Sequence, residues 1–159
     1  LTLTPTDVNL SNTHYSPTAI FLDAAEGPFV AACQVDYTPS TPHDFAGMAL
    51  YADAGSTITF GRTIVNGRQA VVVRSLRDGY VTTAYQPLQD YETGYILWLR
   101  MKSYDGEASF FYSTNHGATW TPVANNLPLP GETASEAGKE EASPEPRFLL
   151  GLYTSTFGN

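Results

Sequence analysis

The sequence predicts an all-β fold in which two antiparallel sheets pack face to face. Short runs rich in β-branched and aromatic residues recur along the chain, and apolar and polar positions alternate within them with a period of two. Turn signals separate these runs at intervals of about eight to twelve residues, a spacing typical of a sandwich or barrel. No segment carries the apolar stripe of a long amphipathic helix.

Ten runs predict strands, and each is bounded by residues that favour turns. The strands are expected at 18–22, 28–37, 45–53, 56–63, 69–75, 80–85, 95–103, 107–113, 118–123 and 147–155. The clearest hairpin signals are Asn66-Gly67, Asp78-Gly79 and Asp105-Gly106, because both residue types tolerate the positive φ angles of tight turns.

The length and composition favour a single sandwich domain over residues 1–159. A chain of 159 residues can bury a sizeable core without disulfide or metal staples. Residues 130–146 are expected to form an acidic loop rich in Pro and Glu, since this stretch has no large apolar face to bury.

The charge balance argues against two classes of partner. The net charge is −8, and only eight Lys and Arg residues are present. Nucleic acid requires a basic patch that displaces counterions from phosphate, and an anionic membrane surface attracts a polybasic segment. Neither partner is expected, and a neutral ligand fits better.

Several features favour a secreted protein. The chain begins at Leu1 rather than Met, so it is expected to be a processed or excised piece of a longer protein. Asn9-Leu10-Ser11 is a glycosylation sequon.

The single cysteine, Cys33, lies in an apolar run and is interpreted as a small buried hydrophobic residue.

One outward-facing surface is expected to bind carbohydrate. The residues that alternate with core positions on it are Tyr51, Asp53, Arg74, Trp98 and Arg100. The apolar face of a sugar would stack on Trp98 or Tyr51, while its vicinal hydroxyls would pair with the arginines or with Asp53. Cross-strand stacking and ion pairs on an exposed sheet would explain the same residues.

Other chemistry has weaker support in the sequence. Glycoside hydrolysis needs two converging carboxylates, and Asp36 and Asp53 could face each other only if their strands are neighbours. The three histidines are scattered in loop-like sequence and match no hydrolase or zinc motif. No cofactor is expected to be required, although a structural calcium ion could use Asp7, Asp23, Asp53, Asp78 or Asp105.

The order of several segments resembles a known module. The segments are AGMALYADAGSTITFGRT (46–63), VVVRS (71–75), ILWLRMKSYDGEASFFYSTNHGATWTPV (96–123) and FLLGLYTST (148–156). Together they are similar to the concanavalin A-like sandwich at the C-terminus of family-43 glycoside hydrolases of the β-xylosidase and arabinofuranosidase type. The resemblance implies two packed antiparallel sheets, no catalytic residues, and a role in packing against a catalytic propeller or in binding xylan-like polysaccharide.

A second, local resemblance concerns residues 113–120. Ser113, Asn115, Gly117, Thr119 and Trp120 are spaced as in the Asp-box of sialidase-type propellers, with Asn in the Asp position. That motif is a hairpin-stabilising device, and it occurs once here, whereas a propeller needs several blades. We therefore expect a hairpin at this point, with Trp120 in the core.

These observations favour a non-catalytic carbohydrate-binding or accessory module of a secreted glycoside hydrolase that degrades xylan- or arabinan-type polysaccharide. Its partners would be a polysaccharide or oligosaccharide and a glycosidase catalytic domain. Two alternatives remain open: a purely structural domain that braces a catalytic domain, and a small β-sandwich glucanase or lyase. The E-x-D-x-x-E string of such glucanases is absent from the sequence.

Overall fold

Antiparallel strands form two sheets in the computed structural model, which describes residues 15–23, 27–131 and 148–157. The strands are β1 (Tyr15–Asp23), β2 (Val30–Val35), β3 (Phe45–Asp53), β4 (Ser56–Val65), β5 (Arg68–Arg77), β6 (Tyr80–Pro87), β7 (Leu97–Tyr104), β8 (Glu107–Ser113), β9 (Thr121–Pro128) and β10 (Leu149–Phe157). The larger sheet has the order β1-β10-β3-β4-β5-β6, and the smaller sheet has the order β2-β7-β8-β9. The predicted two-sheet antiparallel sandwich is therefore confirmed.

Tight turns join neighbouring strands where the sequence predicts them. The β4–β5 turn has φ angles of 51° at Asn66 and 76° at Gly67. Positive φ at both turn residues matches the right-handed twist of the flanking strands. The turns at Asp78-Gly79 and Asp105-Gly106 share this geometry, which explains why hairpins form at these dipeptides.

The core lies between the sheets and is built from every second residue of each strand. On β7, Leu97, Leu99 and Met101 are fully buried, as their alternation with Trp98 and Arg100 predicts. Phe60 of β4 meets Phe110 of β8 edge to face, with ring centroids 5.2 Å apart. This contact joins the two inner faces directly.

Cys33 belongs to this packed layer. It lies opposite Leu99 on the β2–β7 ladder and packs against the core. Burial raises the pKa of its thiol to about 12, so the reactive thiolate form is disfavoured at neutral pH. Cys33 is thus partly rather than fully buried, and it packs against the core as a small apolar residue.

Arg62 of β4 is 1% exposed, and its hydrogen bonds are internal. Its Nε donates to Oε1 of Gln69 at 3.0 Å, its Nη1 donates to the carbonyl oxygen of Tyr95 at 3.0 Å, and its Nη2 donates to the carbonyl oxygen of Thr93. Burial lowers the pKa of this guanidinium, and the charge of Asp36 opposes that shift. Arg62 thus holds the segment around Thr93 and Tyr95 against the larger sheet. This segment follows a short 3-10 turn at Asp90–Glu92, which was not predicted from the sequence.

A loop closes one end of the sandwich between β2 and β3. The Asp44 carboxylate accepts hydrogen bonds from Ser40 N and Ser40 Oγ, both at 2.7 Å, and from Thr41 N at 2.9 Å. Burial opposes ionisation of Asp44, but these bonds outweigh it, so its pKa lies below the usual value. The loop is anchored to the larger sheet by Thr63, whose Oγ1 donates to the Asp44 carbonyl oxygen at 2.6 Å.

Some predicted features lie outside the described residues. These are the sequon at Asn9, the candidate calcium ligand Asp7, and residues 132–146 of the acidic segment. Within the described part of the chain, no helix is long and apolar enough to cross a membrane.

Gly47→Ala is expected to destabilise the fold by about 3 kcal/mol, the cost of severe overpacking. A Cβ at Gly47 would lie 2.1 Å from the Phe60 carbonyl oxygen and 2.5 Å from the Gly61 Cα, and neither backbone atom can retreat without opening the β3–β4 ladder. Urea denaturation measures the loss. Gly94→Ala is the control, because a Cβ there meets no atom within 4 Å. Equal stability of the two variants would contradict the close approach.

Asp44→Asn is expected to destabilise the protein by about 1–3 kcal/mol at neutral pH, since the charged acceptor of three hydrogen bonds is lost. The pKa of Asp44 is depressed in the folded state, so its contribution is complete above its unfolded pKa of about 4 and disappears as pH falls through the folded pKa. The difference in melting temperature from the wild type should therefore shrink in acid. Asp78→Asn, at an exposed turn, is the charge-matched control and should cost less than about 0.5 kcal/mol at neutral pH.

Candidate functional site

The residues predicted to form one binding surface lie on two opposite surfaces. Tyr51 and Arg74 lie on β3 and β5 of the larger sheet, whereas Trp98 and Arg100 lie on β7 of the smaller sheet. Both pairs point away from the core, but the whole core separates them. The expectation of one shared surface is wrong, because alternation tells which residues point outward but not which sheet a strand joins.

The first surface, which we call the Tyr–Arg face, is the outer side of the larger sheet around Tyr51, Arg74, Tyr85 and Tyr153. One cross-strand row on it runs Tyr153, Gly47, Gly61, Val72, Tyr85 over five neighbouring strands. The adjacent row runs Gly151, Ala49, Thr59, Arg74, Thr83. Tyrosines thus flank a strip of small residues, and threonines flank Arg74.

Aromatic side chains lie over this strip. The Phe45 ring comes so close to Gly61 that a Cβ there would lie 2.7 Å from Phe45 Cζ. The Phe45 and Tyr153 ring centroids are 5.4 Å apart. Val72 points outward and is nevertheless 0% exposed, whereas Tyr85 is 41% exposed. The Tyr–Arg face therefore has a buried floor and a partly exposed aromatic and cationic layer above it.

Arg74 and Tyr153 belong to the same electrostatic neighbourhood. Burial raises the pKa of the Tyr153 phenol, while a hydrogen bond with the Ser155 side chain and the positive charge of Arg74 oppose that shift. The phenol therefore stays a neutral hydrogen-bond donor and acceptor at physiological pH. Both the phenol and the guanidinium lie on this face, and both groups can form hydrogen bonds with hydroxyl groups of a ligand.

Asp53 does not take the role that the sequence suggested. The β3–β4 register shifts between Tyr51 and Asp53, and Asp53 lies exposed at the end of β3. Its Oδ1 accepts a hydrogen bond from Gly55 N at 2.7 Å, so the carboxylate stabilises the hairpin turn. Asp36 follows β2 in the other sheet, so Asp36 and Asp53 do not face each other across neighbouring strands.

The second surface, the Trp–Arg face, is the outer side of the smaller sheet around Trp98, Arg100, Phe111 and Trp120. Arg100 lies opposite Phe111 on the β7–β8 ladder. Its Cζ is 3.9 Å from the Trp120 ring centroid and 5.4 Å from the Phe111 ring centroid. The Trp98 ring meets His116 edge to face at 6.4 Å.

The Asp-box-like segment forms the hairpin that positions Trp120. Ser113 Oγ accepts from Gly117 N at 2.9 Å, and Asn115 Oδ1 accepts from Thr119 N at 2.9 Å. The predicted hairpin is confirmed, but the placement of Trp120 in the core is wrong. Its ring packs against Gly117 and Arg100 on the outer face, because the turn carries the indole back over the outside of the smaller sheet.

Tyr85, Phe111 and Tyr153 were not predicted as binding residues from the sequence. Each alternates with core positions, but only the strand pairing shows that Tyr153 and Tyr85 end one row and that Phe111 lies beside Arg100. Within the described residues, no cluster of three or more His, Cys, Asp or Glu side chains could hold a metal ion. A calcium site therefore stays a prediction.

Comparisons with known proteins agree with the fold. A search of curated proteins finds no match. Among solved structures, a GH43 protein from Bacillus licheniformis matches with a TM-score of 0.65 and 14% identity over 89% of this chain and 30% of that chain. A xylan β-1,4-xylosidase from Bacillus halodurans matches with a TM-score of 0.63 and 12% identity over 86% of this chain and 26% of that chain.

A protein of unknown function from Saccharomyces cerevisiae also matches, with a TM-score of 0.64 and 18% identity over 86% of this chain and 64% of that chain. The chain thus spans about a third or less of the two bacterial proteins. The family model for the β-xylosidase C-terminal concanavalin A-like domain matches residues 1–142, most of the sequence. The chain therefore belongs to the GH43 β-xylosidase C-terminal concanavalin A-like domain family.

Proposed function

We propose that this chain is a non-catalytic accessory module of a secreted GH43-type glycoside hydrolase, and that its Tyr–Arg face binds a neutral polysaccharide of the xylan or arabinan type. The family, which is named for a C-terminal domain of β-xylosidases, supports the accessory role. One of the similar structures is a xylan β-1,4-xylosidase, which supports the choice of glycan.

The observation that carries the binding proposal is the row from Tyr153 to Tyr85 beside the row that contains Arg74. Sugar rings have apolar C–H faces that pack on aromatic rings, and their hydroxyls exchange hydrogen bonds with phenol, threonine and guanidinium groups. Neighbouring strands are about 4.8 Å apart, so the four strand spacings between Tyr153 and Tyr85 span about 19 Å. A glycan lying across the strands would contact the tyrosines at the two ends of this row and Arg74 in the adjacent row.

The charges of the Tyr–Arg face suit a neutral ligand. Arg74 supplies a cation to this face, and the hydroxyls of Thr59 and Thr83 flank it in the same row. Hydrogen bonds from a charged donor to uncharged hydroxyls contribute affinity without requiring a charged ligand. Catalysis is assigned to another part of such an enzyme, because Asp53 serves a turn and Asp36 lies in the other sheet.

Arg74→Ala and Tyr85→Ala are expected to weaken binding to soluble arabinoxylan or arabinan by about tenfold each, the loss expected for one charge-assisted hydrogen bond or one stacking contact. Affinity electrophoresis in gels that contain the polysaccharide measures the effect. Both residues lie on one face, so the double variant should show no retardation.

Arg100→Ala is the matched control, since it removes the same side chain from the opposite sheet. It should leave retardation on neutral polysaccharide unchanged. If Arg100→Ala abolishes binding and Arg74→Ala does not, the Tyr–Arg face is the wrong surface. If the wild type binds no polysaccharide but forms a stable complex with a GH43 catalytic domain, the bracing role replaces the binding role.

A further inference from the structure

Among the described residues, aromatic rings and no hydrogen-bond acceptor hold the Arg100 guanidinium in place. Trp120 and Phe111 contact it through their rings, at 3.9 Å and 5.4 Å from Cζ to the ring centroids. Its Nε is buried and has no hydrogen-bond partner. Among the described residues, no acceptor contacts its terminal nitrogens either. Aromatic faces attract the cation but leave its in-plane N–H donors unused.

A guanidinium held in this way is preorganised to donate hydrogen bonds to an acceptor that approaches in its plane. Stacking fixes the plane of the group, so little side-chain entropy is lost when a ligand binds. Two parallel N–H donors match the two oxygens of a carboxylate, and this bidentate pair is stronger than a hydrogen bond between neutral groups.

A second cation lies on the same face. Lys102 alternates with Arg100 along β7, and its Nζ is 5.7 Å from the Phe111 ring centroid. Among the described residues, Arg68 forms an ion pair with Asp90, and no carboxylate forms one with Arg100 or Lys102. Two unpaired cations beside one ring form a local positive surface on a chain whose net charge is −8.

Aromatic surface surrounds these cations. Trp98, Phe111 and Trp120 lie on the same side of the smaller sheet, and Trp98 Nε1 is a further buried donor without a partner. A simple inorganic anion would use the charges but not the rings. A sugar unit that carries a carboxylate would use both, because its ring can pack beside Phe111 while its carboxylate reaches Arg100 and Lys102.

We propose that the Trp–Arg face is a second binding site, and that it recognises uronic acid units of an acidic polysaccharide. The carboxylate of the sugar accepts hydrogen bonds from Arg100 and an electrostatic contact from Lys102, and the sugar ring packs against the aromatic side chains. This site is separated from the Tyr–Arg face by the core and does not depend on it. The module would thereby distinguish acid-substituted from unsubstituted regions of a polysaccharide.

The tryptophans provide a probe for this face alone. The chain has two tryptophans, Trp98 and Trp120, and both lie on the Trp–Arg face. We expect a saturable change in tryptophan fluorescence when a xylo-oligosaccharide bearing glucuronic acid is added to the full chain. The unsubstituted oligosaccharide of the same length and the carboxyl-reduced form of the acidic one should give no change. Added salt should weaken the acidic interaction, because screening acts on the partly exposed charges.

Arg100→Lys keeps the charge but removes the planar donor pair, and it is expected to weaken binding of the acidic oligosaccharide by about tenfold, the order expected for one charge-assisted hydrogen bond. Arg100→Gln and Lys102→Gln should weaken it further and reduce the salt dependence. Arg68→Lys, at an exposed position of the larger sheet outside both proposed sites, is the matched control and should leave this titration unchanged.

An equal fluorescence response to acidic and neutral oligosaccharides would overturn the proposal. Unchanged affinity for the acidic oligosaccharide in both the Arg100→Gln and the Lys102→Gln variants would also overturn it. The Lys102→Gln variant keeps the test valid if Arg100→Gln fails to fold. A response to free acetate equal to that of the acidic sugar would show an anion site without sugar recognition. These outcomes are independent of retardation on neutral polysaccharide, which tests the Tyr–Arg face.

Discussion

The burial of one side of each sheet is the constraint on which the rest of the structure depends. Phe60 and Phe110 meet across the interface, and Leu97, Leu99 and Met101 fill the same layer with no exposure. Burying these residues forces their neighbours in each strand to point outward, because side chains alternate between the faces of a sheet. Trp98 and Arg100 point outward because Leu99 between them is buried, and Arg74 points outward in the same way beside the buried Val73.

The sequence was sufficient for local structure and insufficient for long-range pairing. Asn-Gly and Asp-Gly turns follow from backbone energetics within two residues, so hairpins such as β4–β5 were predictable. The sheet that a strand joins depends on partners far along the chain: β2 pairs with β7, and β3 pairs with β10. Trp98 and Arg74 therefore had the same alternation in the sequence although they lie on opposite surfaces.

The Tyr–Arg face shows a second limit of alternation. Val71, Val72 and Val73 are all buried, although Val72 points away from the core. Gly61 has no side chain, so the Phe45 ring can lie close to the sheet and help to form an outer layer. The uninterrupted apolar run in β5 was the signal available in the sequence, since a strand covered on both sides is apolar throughout. The close approach of Phe45 to Gly61 is visible only through the register of β3 and β4.

Arg62 and Arg100 show how one residue type uses its hydrogen-bond donors within the fold in one place and leaves them unpaired in another. Arg62 is buried with its donors directed to Gln69 Oε1 and to two main-chain carbonyl oxygens, so folding already uses its hydrogen-bonding capacity. Arg100 is held by rings, which satisfy its charge in part but accept none of its in-plane N–H groups. Leaving such donors unpaired costs stability unless something outside the fold uses them. A ligand carboxylate would accept hydrogen bonds from these donors and so offset that cost. The unpaired donors of Arg100 would then be the feature of this sheet that selects acidic over neutral ligands.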